Sequence, residues 1–175
     1  MANHQATITG TASKGVKEDG ALTATGKLTV SDPDPGEAHT TAVTNAAAAY
    51  GTWSVDANGN WSYKLNNSLA AVQALGAGDT LTDSFIVRSL DGSASKTVNI
   101  TINGTNDLAS IGGQSAADVT EDKTLAASGT LTVSDKDAGD AHSKADSGNA
   151  SYGSWTVDAD GHWTYNLDTG NATVQ

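Results

Sequence analysis

Apolar residues in this chain recur at every second position. Val98, Ile100 and Ile102 alternate with polar neighbours in "TVNITI", Leu22, Leu28 and Val30 share a parity in "ALTATGKLTV", and "ATITG" alternates near the N-terminus. Successive side chains of a strand point to opposite faces, so this spacing predicts strands with one buried face. "GTWSVDANGNWSYKL" reads as a hairpin turning at Ala57-Asn58-Gly59, because Asn-Gly readily takes the positive φ of a tight turn. "LTDSFIVRSLDG" is a further strand closing on an Asp-Gly turn, and "NNSLAAVQAL" predicts a short helical turn. About six or seven short antiparallel strands separated by Gly-rich turns predict a β-sandwich of roughly 100 residues.

The pattern occurs twice. Residues 16–39 align without gaps on 119–142 with 15 of 24 positions identical, and 50–65 align on 152–167 with 10 of 16 identical. The offset is 103 in the first block and 102 in the second, and extension pairs Asn3 with Asn106 and Gln73 with Gln175. The expected organisation is a complete repeat over 3–105 and a second over 106–175, incomplete at its C-terminus for want of "ALGAGDTLTDSFIVRSLDGSASKTVNITINGT". The fold class is then all-β, as tandem sandwiches. A unit without its last two strands leaves a bare sheet edge, which predicts partial unfolding or strand exchange with another copy.

Charge narrows the partners. A net charge of −11 and a pI near 4.4 exclude the basic face that nucleic acid or an anionic membrane surface requires. The chain has no Cys, which removes disulfides, thiolate zinc sites and thiol catalysis. A small disulfide-free domain needs another staple, and a bound metal ion is one. No stretch approaches transmembrane length, and "MANHQATITG" has no basic-then-apolar order, so no cleavable secretion signal is expected in this segment.

The words "VKEDGALTATGKLTVSDPDPGEAH", "YGTWSVDANGNWSYKL", "ALGAGDTLTDSFIVRSLDG" and "VNITINGTND" resemble the VCBS repeat, a bacterial cadherin-like module of large secreted RTX-type adhesins. The resemblance covers nearly the whole chain. It implies immunoglobulin-like sandwiches that serve as non-enzymatic spacers in a cell-surface adhesin, exported by type I secretion and active in cell adhesion and biofilm formation. Calcium is the implied cofactor, and neighbouring repeats of the same chain are the implied partners. The linker "NGTNDLAS" departs from the family, where a Pro often follows the Asn-Asp pair.

Strand alternation indicates which acids meet. A first strand running down leaves Glu18 and Asp19 at the bottom of repeat one, and the next strand carries Asp32 and Asp34 to the top. Asp79 and Asp83 return to the bottom, Asp91 lies at the top, and the last strand runs down to Asn106 and Asp107. The expected junction site combines Glu18, Asp79 or Asp83, Asn106 and Asp107 with Asp135 and Asp137 of repeat two. Asp32, Asp34 and Asp91 form a half-site at the top of repeat one. Calcium takes six to eight oxygen ligands of this mixed kind, and crowded carboxylates without a cation repel one another.

Other features have plainer readings. "DANGN" from Asp56 and "DADGH" from Asp158 resemble the start of an EF-hand loop, but Gly59 is fourth rather than sixth and Asn67 stands at the twelfth position, which favours a hairpin turn. Trp53, Val55, Trp61, Tyr63 and Leu65 share one face. Sandwich core is the expected role, with a sugar-stacking platform built on Trp53, Trp61 and Tyr63 as the alternative. His39 and His142 follow the acidic loops without a nucleophile and orienting partner, so no catalytic residue is predicted.

Overall fold

The structure, a computed structural model, describes residues 3–175. The chain forms two compact units, the first ending at Asn106 and the second spanning Asp107–Gln175. Apart from one four-residue helix, the regular structure is entirely β, as the period-two pattern predicts.

The first unit contains β1 (Thr7–Gly10), β2 (Ser13–Lys17), β3 (Thr23–Ser31), β4 (Val43–Ala47), β5 (Gly51–Val55), β6 (Asn60–Leu65), α1 (Ala70–Gln73), β7 (Thr80–Arg88) and β8 (Ser95–Asn103). One sheet has the order β1-β3-β6-β5-β4 and the other β2-β8-β7. Alternation sets the faces: Trp61, Tyr63 and Leu65 of β6 are buried, while Asn60, Ser62 and Lys64 between them are exposed. These residues meet Val16, Leu28, Phe85, Val98, Ile100 and Ile102 in one core. Trp61 lies flat over Gly26, where a β-carbon would come within 2.4 Å of the indole, and its Nε1–H donates to the Thr11 carbonyl at 2.8 Å.

Two elements differ from the sequence reading. The N-terminal strand is broken at Gly10, whose φ of +111° turns the chain out of the first sheet. Residues 13–17 then enter the second sheet as β2, paired in parallel with β8, so the sandwich is not purely antiparallel. β4 was not legible as a strand because a bulge between Val43 and Ala46, with Asn45 at φ +49°, interrupts its alternation.

The second unit contains β9 (Ser110–Gly113), β10 (Ala126–Ser134), β11 (Asp146–Ala150), β12 (Gly153–Val157) and β13 (His162–Leu167) in one sheet of order β11-β12-β13-β10-β9. This copies the first sheet of unit one strand for strand. Trp163 repeats the Trp61 contact, donating to the Gln114 carbonyl at 2.6 Å and lying over Gly129. No strand forms over residues 114–119. β2 offers the reason, since its only strand partner in unit one is β8, and 107–175 contain no counterpart of β8. The face that is core in unit one is consequently half-exposed here. Trp61 is 2% and Tyr63 0% exposed, whereas Trp163 and Tyr165 are only partly buried.

Candidate functional site

Three segments converge at one end of the first unit. β3 runs out at Ser31 into the loop carrying Asp32, Asp34 and Glu37, and β7 ends at Arg88 just before the turn that carries Asp91. Asn3 and His4 precede β1, which pairs with β3 in the register Thr7 to Ser31. Asp32, Glu37 and Asp91 each bring a carboxylate oxygen within 4.8 Å of the other two. The chain thus joins the acids that strand alternation placed at this end, and adds Glu37.

Backbone amides hold the loop in shape. The Asp34 amide donates to Asp32 Oδ1 at 2.8 Å, and the His4 amide donates to Asp34 Oδ2 at 2.7 Å. His4 Nδ1 lies 2.8 Å from Asp34 Oδ1. Asn3 donates to Asp91 Oδ2 at 2.9 Å, and the Ser93 amide to Asp91 Oδ1 at 3.2 Å. Two oxygens remain: Asp32 Oδ2 and Glu37 Oε2 are shielded from solvent and accept no hydrogen bond. Among the described residues, no Lys or Arg pairs with Asp32, Glu37 or Asp91.

The electrostatics follow from these contacts. Burial, then the charges of Asp34, Asp32 and Asp91, pushes the Glu37 carboxyl above the usual range. Hydrogen bonds from Ser89, Ser93 and Asn3 hold Asp91 far below it. The His4 amide and ring lower Asp34, and Asp34 in turn raises the His4 imidazole. A dication resolves the remaining conflict. Oxygens that bind one calcium ion at about 2.3–2.6 Å lie no more than about 5 Å apart, so the spacing and the two orphaned oxygens fit a hard, oxygen-seeking cation.

The second unit builds the same loop. The Asp107 amide donates to Asp137 Oδ2 at 2.8 Å, and the Asp137 amide to Asp135 Oδ1 at 2.9 Å. Asp107 thus stands where His4 does in the first copy, as the repeat alignment places it. Asp137 is 3% exposed and its Oδ1 accepts no hydrogen bond. Lys136 replaces Pro33, and its Nζ lies 3.2 Å from Asp107 Oδ1. Asp140 takes the place of Glu37 and is exposed.

The remaining acids lie at the other end of the first unit. Antiparallel pairing of Thr80 with Asn103 and of Arg88 with Ser95 puts Asp79 with the end of β8 and Asp91 opposite. Glu18 is fully buried there; its Oε1 accepts the Thr105 amide at 3.1 Å and its Oε2 the Gln73 side chain at 2.9 Å. Asp79 and Asn106 are exposed. Asp83 is placed differently from the expected junction role. It is buried, and accepts hydrogen bonds from the Tyr63 hydroxyl at 2.7 Å, the Tyr50 amide at 2.8 Å and the Ala49 amide at 3.2 Å. Its oxygens are used inside the unit, where they tie β7 to the β4–β5 turn.

In the first unit the aromatic stripe is core rather than a sugar platform. Trp53 stacks on Phe85 with centroids 4.6 Å apart, and Trp61 meets the same ring edge-on at 5.6 Å. The turn at Asp56 is a hairpin turn, with Asp56 Oδ1 accepting the Asn58 and Asn60 amides at 2.9 Å each and Gly59 at φ +78°. Sequence reasoning left Glu37, Asn3 and His4 out of the site. Repeat alignment carries a signal for each, matching them to Asp140, Asn106 and Asp107.

Comparison with known proteins agrees with this architecture. No curated protein matches the sequence. Among solved structures, the chain is similar to a protocadherin gammaB7 EC3-6 cis-dimer structure, with TM-score 0.53 and 16% identity over 95% of this chain and 40% of that one. It is also similar to the protocadherin gammaB4 extracellular domain, with TM-score 0.53 and 14% identity over 92% of this chain and 26% of that one. The chain therefore spans well under half the length of either neighbour, and the likeness is one of fold. Among the described residues, no helix is long and apolar enough to cross a membrane. A family model described as "Bacterial cadherin-like domain" matches residues 3–104, the whole of the first sandwich, and the chain therefore belongs to that family.

Proposed function

We propose that this chain is part of a tandem array of non-enzymatic spacer repeats, of the VCBS type, in a secreted bacterial surface adhesin of the RTX class. On this reading the protein is exported by type I secretion and holds a distant adhesive domain away from the cell, in cell adhesion and biofilm formation. Calcium at the acidic ends of the repeats stiffens the array. The observation that carries the reading is the Asp32, Glu37 and Asp91 cluster, with its two buried carboxylate oxygens lacking any partner.

Asp32, Glu37 and Asp91, with Asp34 as an outer support, would hold the ion in the first repeat. Asp135, Asp137 and Asp107 of the second repeat, with Asn106, Glu18 and Asp79 from the end of the first, are the proposed ligands of the junction. Bound calcium supplies positive charge and oxygen coordination. The residues themselves fix the loop through the amide bonds of Asp34 and Asp137, so that the carboxylates are ordered before the ion arrives. An ion that binds only the ordered loop stabilises it, by about 2.7 kcal/mol at a hundredfold excess over the dissociation constant. Calorimetric titration with calcium, with thermal melting in calcium and in EGTA, tests the proposal. Binding heat together with a raised melting temperature is expected; no heat and an unchanged melt would overturn it.

A further inference from the structure

We propose that the second unit is an acceptor for a β-hairpin presented by a separate polypeptide, which it takes up as the second sheet of its sandwich. This is independent of calcium. In the first unit the five-stranded sheet is covered by β7 and β8, and the internal repeat copies the covered side but not its cover. Val119, Ala127, Trp155, Trp163 and Tyr165 line an open groove of about 450 Å³ in the second unit. They correspond to Val16, Ala24, Trp53, Trp61 and Tyr63, which all pack in or against the core of the first.

Three features of the groove specify its occupant. Trp53 stacks on Phe85 in the first unit, and Trp155 offers the same ring without such a partner among the described residues. The Tyr63 hydroxyl donates to Asp83 at 2.7 Å, while that of Tyr165 has no hydrogen-bond partner among the described residues. β2 is a strand only through its parallel pairing with β8, and the matching segment at 114–119 has no strand structure. The fitting partner is therefore a hairpin with the chemistry of β7–β8. Its first strand carries a carboxylate two residues before an aromatic ring, as Asp83 and Phe85 do. Its second strand alternates β-branched residues, as Val98, Ile100 and Ile102 do, and pairs in parallel with the 116–120 segment. Recognition combines main-chain addition with side-chain pockets at alternate positions.

The test uses the full chain, labelled with ¹⁵N, titrated with a synthetic peptide of residues 77–105. Saturable shifts of the Trp155 and Trp163 indole resonances are expected, with new amide protection at 116–120 and an unchanged first unit. Replacing Asp83 by Asn and Phe85 by Ala in the peptide should weaken binding by about tenfold or more, since a buried hydrogen bond to a charged group and a ring contact are both lost. Absence of shifts overturns the proposal, as does equal binding by a scrambled peptide, which would make the groove a non-specific apolar patch. Sedimentation showing a dimer with the two indoles already protected also overturns it, because a second copy would then be the occupant.

Discussion

Glu37 carries the sharpest conflict in the acidic loop, because burial and three neighbouring carboxylates disfavour its charge. A carboxyl whose folded pKa is raised contributes stability that is complete below its unfolded value and is lost as pH rises through the folded one. In EGTA the wild-type protein should therefore lose stability relative to Glu37→Gln as pH climbs from the ordinary glutamate range toward neutrality. At neutral pH the variant should melt higher than wild type in EGTA, yet bind calcium more weakly. Melting curves of both proteins across pH, with and without calcium, read the two signs; a variant less stable in EGTA with unaltered calcium binding would contradict this account. Tyr63 is the opposite case, a fully buried hydroxyl whose ionisation is pushed up by burial and by the Asp83 carboxylate. Tyr63→Phe removes a hydrogen bond to a charged, buried acceptor and should cost about 1.5–3 kcal/mol in denaturant unfolding of the first unit.

The strand β2 shows how an element depends on its partner. Residues 13–17 and 116–120 occupy equivalent places in the two repeats, but only the first has β8 to pair with. Amides of 13–17 that donate in the sheet should exchange slowly, and those of 116–119 near the rate of an unstructured segment; equal protection in a hydrogen-exchange experiment would show that pairing is not the cause. Close packing of β3 on β6 gives a second prediction. Gly26→Ala drives a β-carbon to 2.4 Å from the Trp61 ring, so the indole or the strand must move. The expected loss is about 1–3 kcal/mol, with a shift in Trp fluorescence as the ring is displaced.

For the chain as a unit, calcium dependence and repeat organisation are separable. Calcium should raise the melting temperature of the first unit through the Asp32, Glu37 and Asp91 loop, and Asp91→Asn should reduce that rise without altering the fold in EGTA. Much of the architecture is legible in the linear pattern. Alternation at Val98, Ile100 and Ile102, the Asn-Gly turn, the short helix and the repeated acidic words all rest on neighbours within a few residues, and local sterics and side-chain direction suffice to read them. The alignment also carried the equivalence of the two loops, and strand alternation put Asp91 with Asp32. What the pattern could not supply depends on contacts between residues far apart in sequence. The break at Gly10 sends β2 into the other sheet, Asp83 turns inward to meet Tyr63, and Glu37 folds back onto Asp32 and Asp91. Each outcome is set by which surfaces pack and which polar groups find partners once two sheets close on one another. Alternation names the face a residue occupies, whereas only the packed fold determines what that face meets.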